Sequence, residues 1–231
     1  RICDRPVSPA LLVKQSDESE PRYGIFVENG LLFAGIHDKN WFAHSPTRLI
    51  EVFWECARRN VQLSRATERM IAENLHFVND TFQTNELVKR FFLGICNRPL
   101  QAGATLRQAT SVGFLGRYIP EFEAVRGVLR YEDFHHYPVD EHTLQALEAI
   151  GKIPFLEGTV GRCLQEALEH LPDPYILILA ILFHDLGKIH GEQHIAESVR
   201  IASAICDRIG LSKEDKDRVT FLVENHMLMN M

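Results

Sequence analysis

No stretch of this 231-residue sequence is apolar for longer than the nine residues Tyr175–Phe183. That is well short of the roughly 20 needed to cross a bilayer, so no membrane-spanning segment is expected. An excess of positive charge is missing too: 25 Lys and Arg against 31 Asp and Glu leave a formal net charge of -6. Without a basic field there is little counterion release to drive backbone binding, and nucleic acid is not expected as a partner. Cysteine is sparse, and Cys3, Cys56, Cys96, Cys163 and Cys206 are odd in number and lack CxxC spacing. This excludes a disulfide framework and suits reduced thiols in a cytoplasmic protein. No basic-then-apolar leader opens the chain, and the first residue is Arg1 rather than Met, which predicts an excised piece of a longer protein. What remains is ordinary: 45% hydrophobic and 24% charged residues describe a folded globular chain without low-complexity tracts.

Residues 1 to 22, with Pro6, Pro9, Pro21 and the polar stretch Gln15 to Glu20, read as an irregular lead-in. Two apolar runs, Tyr23 to Val27 and Leu31 to Ile36, bracket Asn29-Gly30, the pair that best tolerates the positive φ angles of a type I′ turn, and predict a β-hairpin. From residue 44 the period becomes helical. Ser45-Pro46 is expected to start one helix, Ser64 a second, and Thr84 or Asn85 a third, with a shorter helical stretch after Gly103 up to the loop around Gly113 and Gly116. A second helical set follows Pro138: Glu141 to Ile150 with Asp140 as N-cap and Gly151 as left-handed terminator, then 174 to 189. His194 to Ile209 ends at Gly210, and a last helix starts at a Ser212/Asp215 capping box.

Chemistry concentrates in the second set. Ile181-Leu182-Phe183-His184-Asp185-Leu186-Gly187-Lys188 places an imidazole, a carboxylate and an ammonium at the end of a wholly apolar helix. Burying such groups is costly unless they are paired or hold a metal. Lys188 lies at i+4 from His184 and i+3 from Asp185, so the three project from one side. His142, His194 and His226 fall on or beside other predicted helices of the same half, and helical folds assemble metal centres from ligands spread in this way. Mixed imidazole and carboxylate ligation suits Mn, Fe, Co, Ni or Zn better than Ca, and Mg less well. A satisfied core histidine with a helix-end lysine stays open as the alternative. The pair His37-Asp38, in a loop without an apolar lead-in, is read as bland.

The order His142, His184-Asp185 with Lys188, His194 and His226 resembles the HD phosphohydrolase superfamily. More specifically, several stretches resemble the bifunctional uridylyltransferase/uridylyl-removing enzymes of bacterial nitrogen control. They are Gly116 to Phe122 (GRYIPEF), Phe134-His135, Tyr137, Val139 to Leu144 (VDEHTL) and His226 to Met229. The resemblance implies a mainly α fold: an irregular lead-in and hairpin at 1–40, a helical linker subdomain at 41–130, and an all-helical HD domain at 131–231. The pattern's closing Asp lies on a later helix than Met231, so the HD domain is expected to be truncated at its C-terminal end.

The resemblance further implies hydrolytic removal of UMP from a tyrosine of a PII-type regulatory protein, with a divalent metal ion (Mn, Fe, Zn, Co or Mg). His142, His184, Asp185, His194 and His226 would be metal ligands, Asp185 and Lys188 catalytic groups, and His135 a substrate-contacting or supporting residue. With no Gly-Ser pair and a single Asp-x-Asp, Asp215-Lys216-Asp217, no transferase activity is expected. Two alternatives share part of the pattern: an HD phosphohydrolase of nucleotides, cyclic dinucleotides or alarmones, and a non-catalytic helical module with an incomplete site.

Overall fold

The structure is a computed structural model that describes residues 24–129 and 137–230. The lead-in at 1–22 and the His135-His136 pair lie outside these residues. As expected, the chain is mainly α, with one small sheet. Strands β1 (Ile25–Glu28) and β2 (Leu31–Ala34) pair antiparallel, Glu28 opposite Leu31, across Asn29 (φ 50°) and Gly30 (φ 75°). Both turn residues have the positive φ of a type I′ turn. A two-residue strand, β3 (Gln62–Leu63), adds to β2 in parallel.

Thirteen α-helices are seen among the described residues. In the first half they are α1 (Trp41–His44), α2 (Arg48–Arg59), α3 (Arg65–Glu73), α4 (Asp80–Gln83), α5 (Glu86–Cys96), α6 (Pro99–Ser111), α7 (Phe114–Tyr118) and α8 (Pro120–Ala124). The second half holds α9 (Val139–Lys152), α10 (Gly158–Glu169), α11 (Pro174–Phe183), α12 (His194–Arg208) and α13 (Lys213–Asn225). Local signals set many of their starts. The Ser64 hydroxyl accepts from the Thr67 amide at 3.2 Å, and the Asn85 carboxamide from the amides of Leu87 and Val88. At α13 Ser212 is the cap, its Oγ accepting from the Asp215 N–H at 3.1 Å, and its hydroxyl donates to the Asp215 carboxylate at 2.9 Å.

Several expectations about helix ends are corrected. Helix α2 starts at Arg48 rather than at Ser45-Pro46, because the Ser45 hydroxyl is engaged with Thr47 (3.1 Å) instead of capping. Helix α6 starts at Pro99, a favourable first-turn position, and Gly103 lies inside it. Asp140 sits within the first turn of α9, where it accepts from the Gly127 amide at 2.9 Å. Gly151 is helical and does not terminate α9: a Cβ there would stand 2.8 Å from the Leu100 carbonyl, so glycine serves a close helix approach.

Helix α11 explains the periodless apolar run. It packs against α5, α6, α9, α12 and α13, so nearly every side is covered and no polar stripe is needed. The helix ends at Phe183, earlier than the expected 189, and tight turns over Leu186–Gln193 lead to α12. One continuous apolar core runs from Leu32 and Phe53 through Phe92 and Tyr118 to Leu147, Leu179 and Val223.

Candidate metal centre

Helix α11 delivers His184 and Asp185 at its end, where the backbone leaves the helical region: Asp185 has φ -113° and ψ 9°. Its side chain is 2% exposed. One carboxylate oxygen, Oδ2, meets His184 Nε2 at 3.0 Å and Lys188 Nζ at 2.9 Å. The other, Oδ1, is buried without a hydrogen bond, with His226 Nε2 3.8 Å away. His142 reaches in from α9, its Nε2 3.9 Å from Oδ2. Ligand atoms of His142, His184 and Asp185 all lie within 4.8 Å of one another, and the His226 ring centroid is 5.1 Å from that of His184.

Two backbone carbonyls, which no sequence motif signals, orient the rings. His184 Nδ1 lies 2.7 Å from the Ile181 carbonyl and His226 Nδ1 2.7 Å from the Val223 carbonyl. A carbonyl only accepts, so each Nδ1 donates its proton there and Nε2 is the ring atom turned toward Asp185. Burial raises the Asp185 pKa, but the hydrogen bonds and charges of His184 and Lys188 outweigh it and hold the carboxyl far below the usual range. Burial pushes the His226 pKa down, favouring the neutral ring that ligation requires. A buried ionised carboxylate with one oxygen lacking a hydrogen bond, faced by the Nε2 atoms of His142, His184 and His226, is a donor set that fits a divalent cation.

The remaining site expectations divide. Lys188, 5% exposed, joins the cluster through Asp185. His194 opens α12, outside the group of mutually close ligand atoms, and its Nδ1 is buried without a hydrogen-bond partner. Its neighbourhood is set by Gly187: a Cβ there would collide with the His194 carbonyl and the Ser198 amide, and the Gly187 N–H donates to Ser198 Oγ at 2.9 Å. Glycine between Asp185 and Lys188 therefore lets the first turn of α12 press against the site. Asp38, of the pair read as bland, is taken by His44 at 3.2 Å and by the Asn40 amide.

The helical fold and the His-Asp cluster define an HD-domain protein, and residues 139–231 match the HD domain family. Residues 26–118 match the family described as uridylyltransferase GlnD third domain. Among curated relatives, the bifunctional uridylyltransferase/uridylyl-removing enzyme of Nitrosococcus oceani is 32% identical over 203 residues, 86% of this chain and 23% of that protein. That of Azotobacter vinelandii is 33% identical over 192 residues, 82% of this chain and 21% of that one. The Cereibacter sphaeroides enzyme is 29% identical over 224 residues, covering 95% of this chain and 23% of its own length. The chain belongs to this family as its central region and HD domain, and it spans under a quarter of the length of these relatives. A solved tRNA-processing enzyme in an apo form shares the fold: TM-score 0.54 at 15% identity, covering 84% of this chain and 45% of that one.

Proposed function

We propose that this chain is a divalent-metal phosphodiesterase that removes UMP from a uridylylated tyrosine of a PII-type nitrogen regulatory protein, in the cytoplasm. The observation that carries this reading is the buried Asp185 carboxylate, with one oxygen unbonded and three imidazole nitrogens within 4 Å of its oxygens. The names of the relatives support the uridylyl-removing specificity. In this reading residues 131–231 form the hydrolytic unit, 41–130 brace it, and 1–40 lead in.

His142, His184, Asp185 and His226 would hold the ion, with His194 completing the set from the start of α12. A bound divalent ion supplies Lewis acidity, polarising a phosphoryl oxygen and lowering the pKa of a coordinated water. Asp185 provides the full negative charge of the set and keeps it at neutral pH. Lys188, tethered to Asp185 Oδ2, places a cation where negative charge builds on the phosphoryl oxygens as the phosphorus–oxygen bond to tyrosine breaks. His135 is proposed to contact the substrate or support the site from the segment before α9. Free thiols agree with a reducing compartment: Cys56, Cys96 and Cys206 are buried, and burial pushes Cys56 and Cys206 up to about 12.

The test is metal content by mass spectrometry on protein purified without chelator, for the parent, His184→Ala and Asp185→Ala, followed by an assay of UMP release from a uridylylated PII-type protein. Metal in the parent, lost from both variants, with metal-dependent UMP release is the expected result. A parent that stays metal-free after incubation with Mn and Zn refutes the metal centre, and a metal-loaded parent that releases no UMP refutes the substrate.

A further inference from the structure

Helices α6 and α9 cross antiparallel at close range. The Leu100 carbonyl faces Gly151, and Gly103 faces the backbone of Leu147 and Glu148, where a Cβ would stand 2.6 Å away. One turn further along α6, Arg107 reaches two acidic residues of α9. Its Nη1 and Nη2 donate to Glu141 at 2.8 and 3.0 Å, and its Nη2 and Nε donate to Glu148. Glu141 and Glu148 are seven residues apart, two helical turns, and so share one face of α9. His142 is the next residue after Glu141, roughly 100° around the helix, on the side turned to α11. Of the clustered imidazoles it is the most exposed, 39% against 12% for His184 and 18% for His226. It is carried on the first turn of α9, so its reach toward Asp185 follows where that turn is held.

We propose that Arg107 is a positioning residue for the metal centre: by clamping Glu141 and Glu148 it sets the rotation and height of α9 and thereby the reach of His142 toward Asp185. The inference rests on the metal-site reading above. Double fork geometry suits the role, because a guanidinium bonded to two carboxylates fixes orientation as well as distance, which a point-charge lysine does not. The clamp also makes the region matching the uridylyltransferase third domain, which contains α6, a determinant of the HD site.

The experiment compares Mn and Co binding to the parent, Arg107→Met and, as a stability control in the aromatic core of the first half, Phe53→Leu, each assayed well below its own Tm. Arg107→Met is expected to weaken metal binding roughly 10-fold, the lower end of the cost of losing an outer support, since it acts through α9 and not on His142 itself, and to change the visible spectrum of bound Co. Phe53→Leu is expected to lower Tm while leaving affinity and spectrum unchanged. Should Arg107→Met not fold, Glu141→Gln removes only the half of the clamp beside His142 and is expected to act in the same direction. Parent-like affinity and spectrum in the folded Arg107 or Glu141 variant would overturn the proposal, as would an equal loss in Phe53→Leu. A parent that binds neither metal would sink the site reading and this inference together.

Discussion

Two carboxylates are buried among the described residues, and they are neutralised in different ways. Glu55, in the first half, is fully buried on α2, and its Oε2 is met by Arg58 at 2.8 Å and Arg59 at 2.8 Å, three and four residues along the same helix. Asp185, in the second half, draws its partners from α9, the end of α11, the turn after it and the end of α13. A charge answered by arginines of its own helix stabilises that helix where it packs. A charge surrounded by imidazoles from separate elements requires the whole tertiary fold. Burial marks both as costly; the origin of the partners separates scaffold from site.

Exchanging each charge for a neutral isostere breaks the comparison most sharply. Asp185→Asn is expected to abolish metal binding, read as loss of bound Mn in equilibrium dialysis, because the one anionic ligand is gone and a carboxamide is a poor substitute. Glu55→Gln leaves Arg58 and Arg59 partly unanswered and should destabilise folding by about 3 kcal/mol, the scale for breaking a buried pair. Denaturant unfolding measures this, and metal affinity of the folded fraction should be unchanged. If Glu55→Gln lost metal as Asp185→Asn does, the division between scaffold and site would fail.

The sequence revealed the parts of both regions that depend on neighbours along the chain. Asn29-Gly30, Ser64, Asn85 and Ser212 each act within a few residues, and each does in the structure what its type predicts. His184, Asp185 and Lys188 were legible because charge at the end of an apolar run has no cheap structural explanation, and His142 and His226 because their spread matched a known order. Distant pairings were hidden. The Arg107 contacts span 34 and 41 residues, and the Nδ1 acceptors of His184 and His226 are main-chain carbonyls that any sequence would supply. Gly151 was misread because a glycine near a helix end signals a left-handed cap as readily as a close approach. Helix α10 went unread: its N-cap Glu157 makes no side-chain cap bond, and within it only Gly161 is buried, so neither a start signal nor a core stripe marks it.

Glycine substitutions probe the same contrast more mildly. Gly103→Ala drives a methyl into the α9 backbone beside Glu148, and Gly187→Ala drives one into the first turn of α12. Each should cost about 1 to 3 kcal/mol, as overpacking does. Gly187→Ala presses directly on residues beside Asp185 and Lys188, whereas Gly103→Ala acts through α9 on His142. Both are expected to lower metal affinity, unlike an overpacking change among the aromatics around Phe53, which should lower Tm only.

The smallest effect concerns a pair that joins the two regions without touching the site. Arg208 at the end of α12 donates from both Nη atoms to Glu121 of α8, each at 2.8 Å, across 87 residues. Burial raises the Glu121 pKa, but the Arg208 hydrogen bonds and charge prevail and place it below the ordinary 4.5. A carboxyl depressed by folding contributes its stability fully above the unfolded value and loses it as pH falls through the folded one. The contribution is therefore intact at neutral pH and fades only below about pH 4.5. With both side chains about a quarter exposed, solvent screens the pair and the contribution is modest. Arg208→Met should flatten the acid limb of a stability-versus-pH curve measured by urea unfolding, leaving metal affinity at neutral pH as in the parent. An acid limb as steep in Arg208→Met as in the parent would mean that Glu121 and Arg208 do not couple the halves, and that α12 is held against α8 by its apolar face.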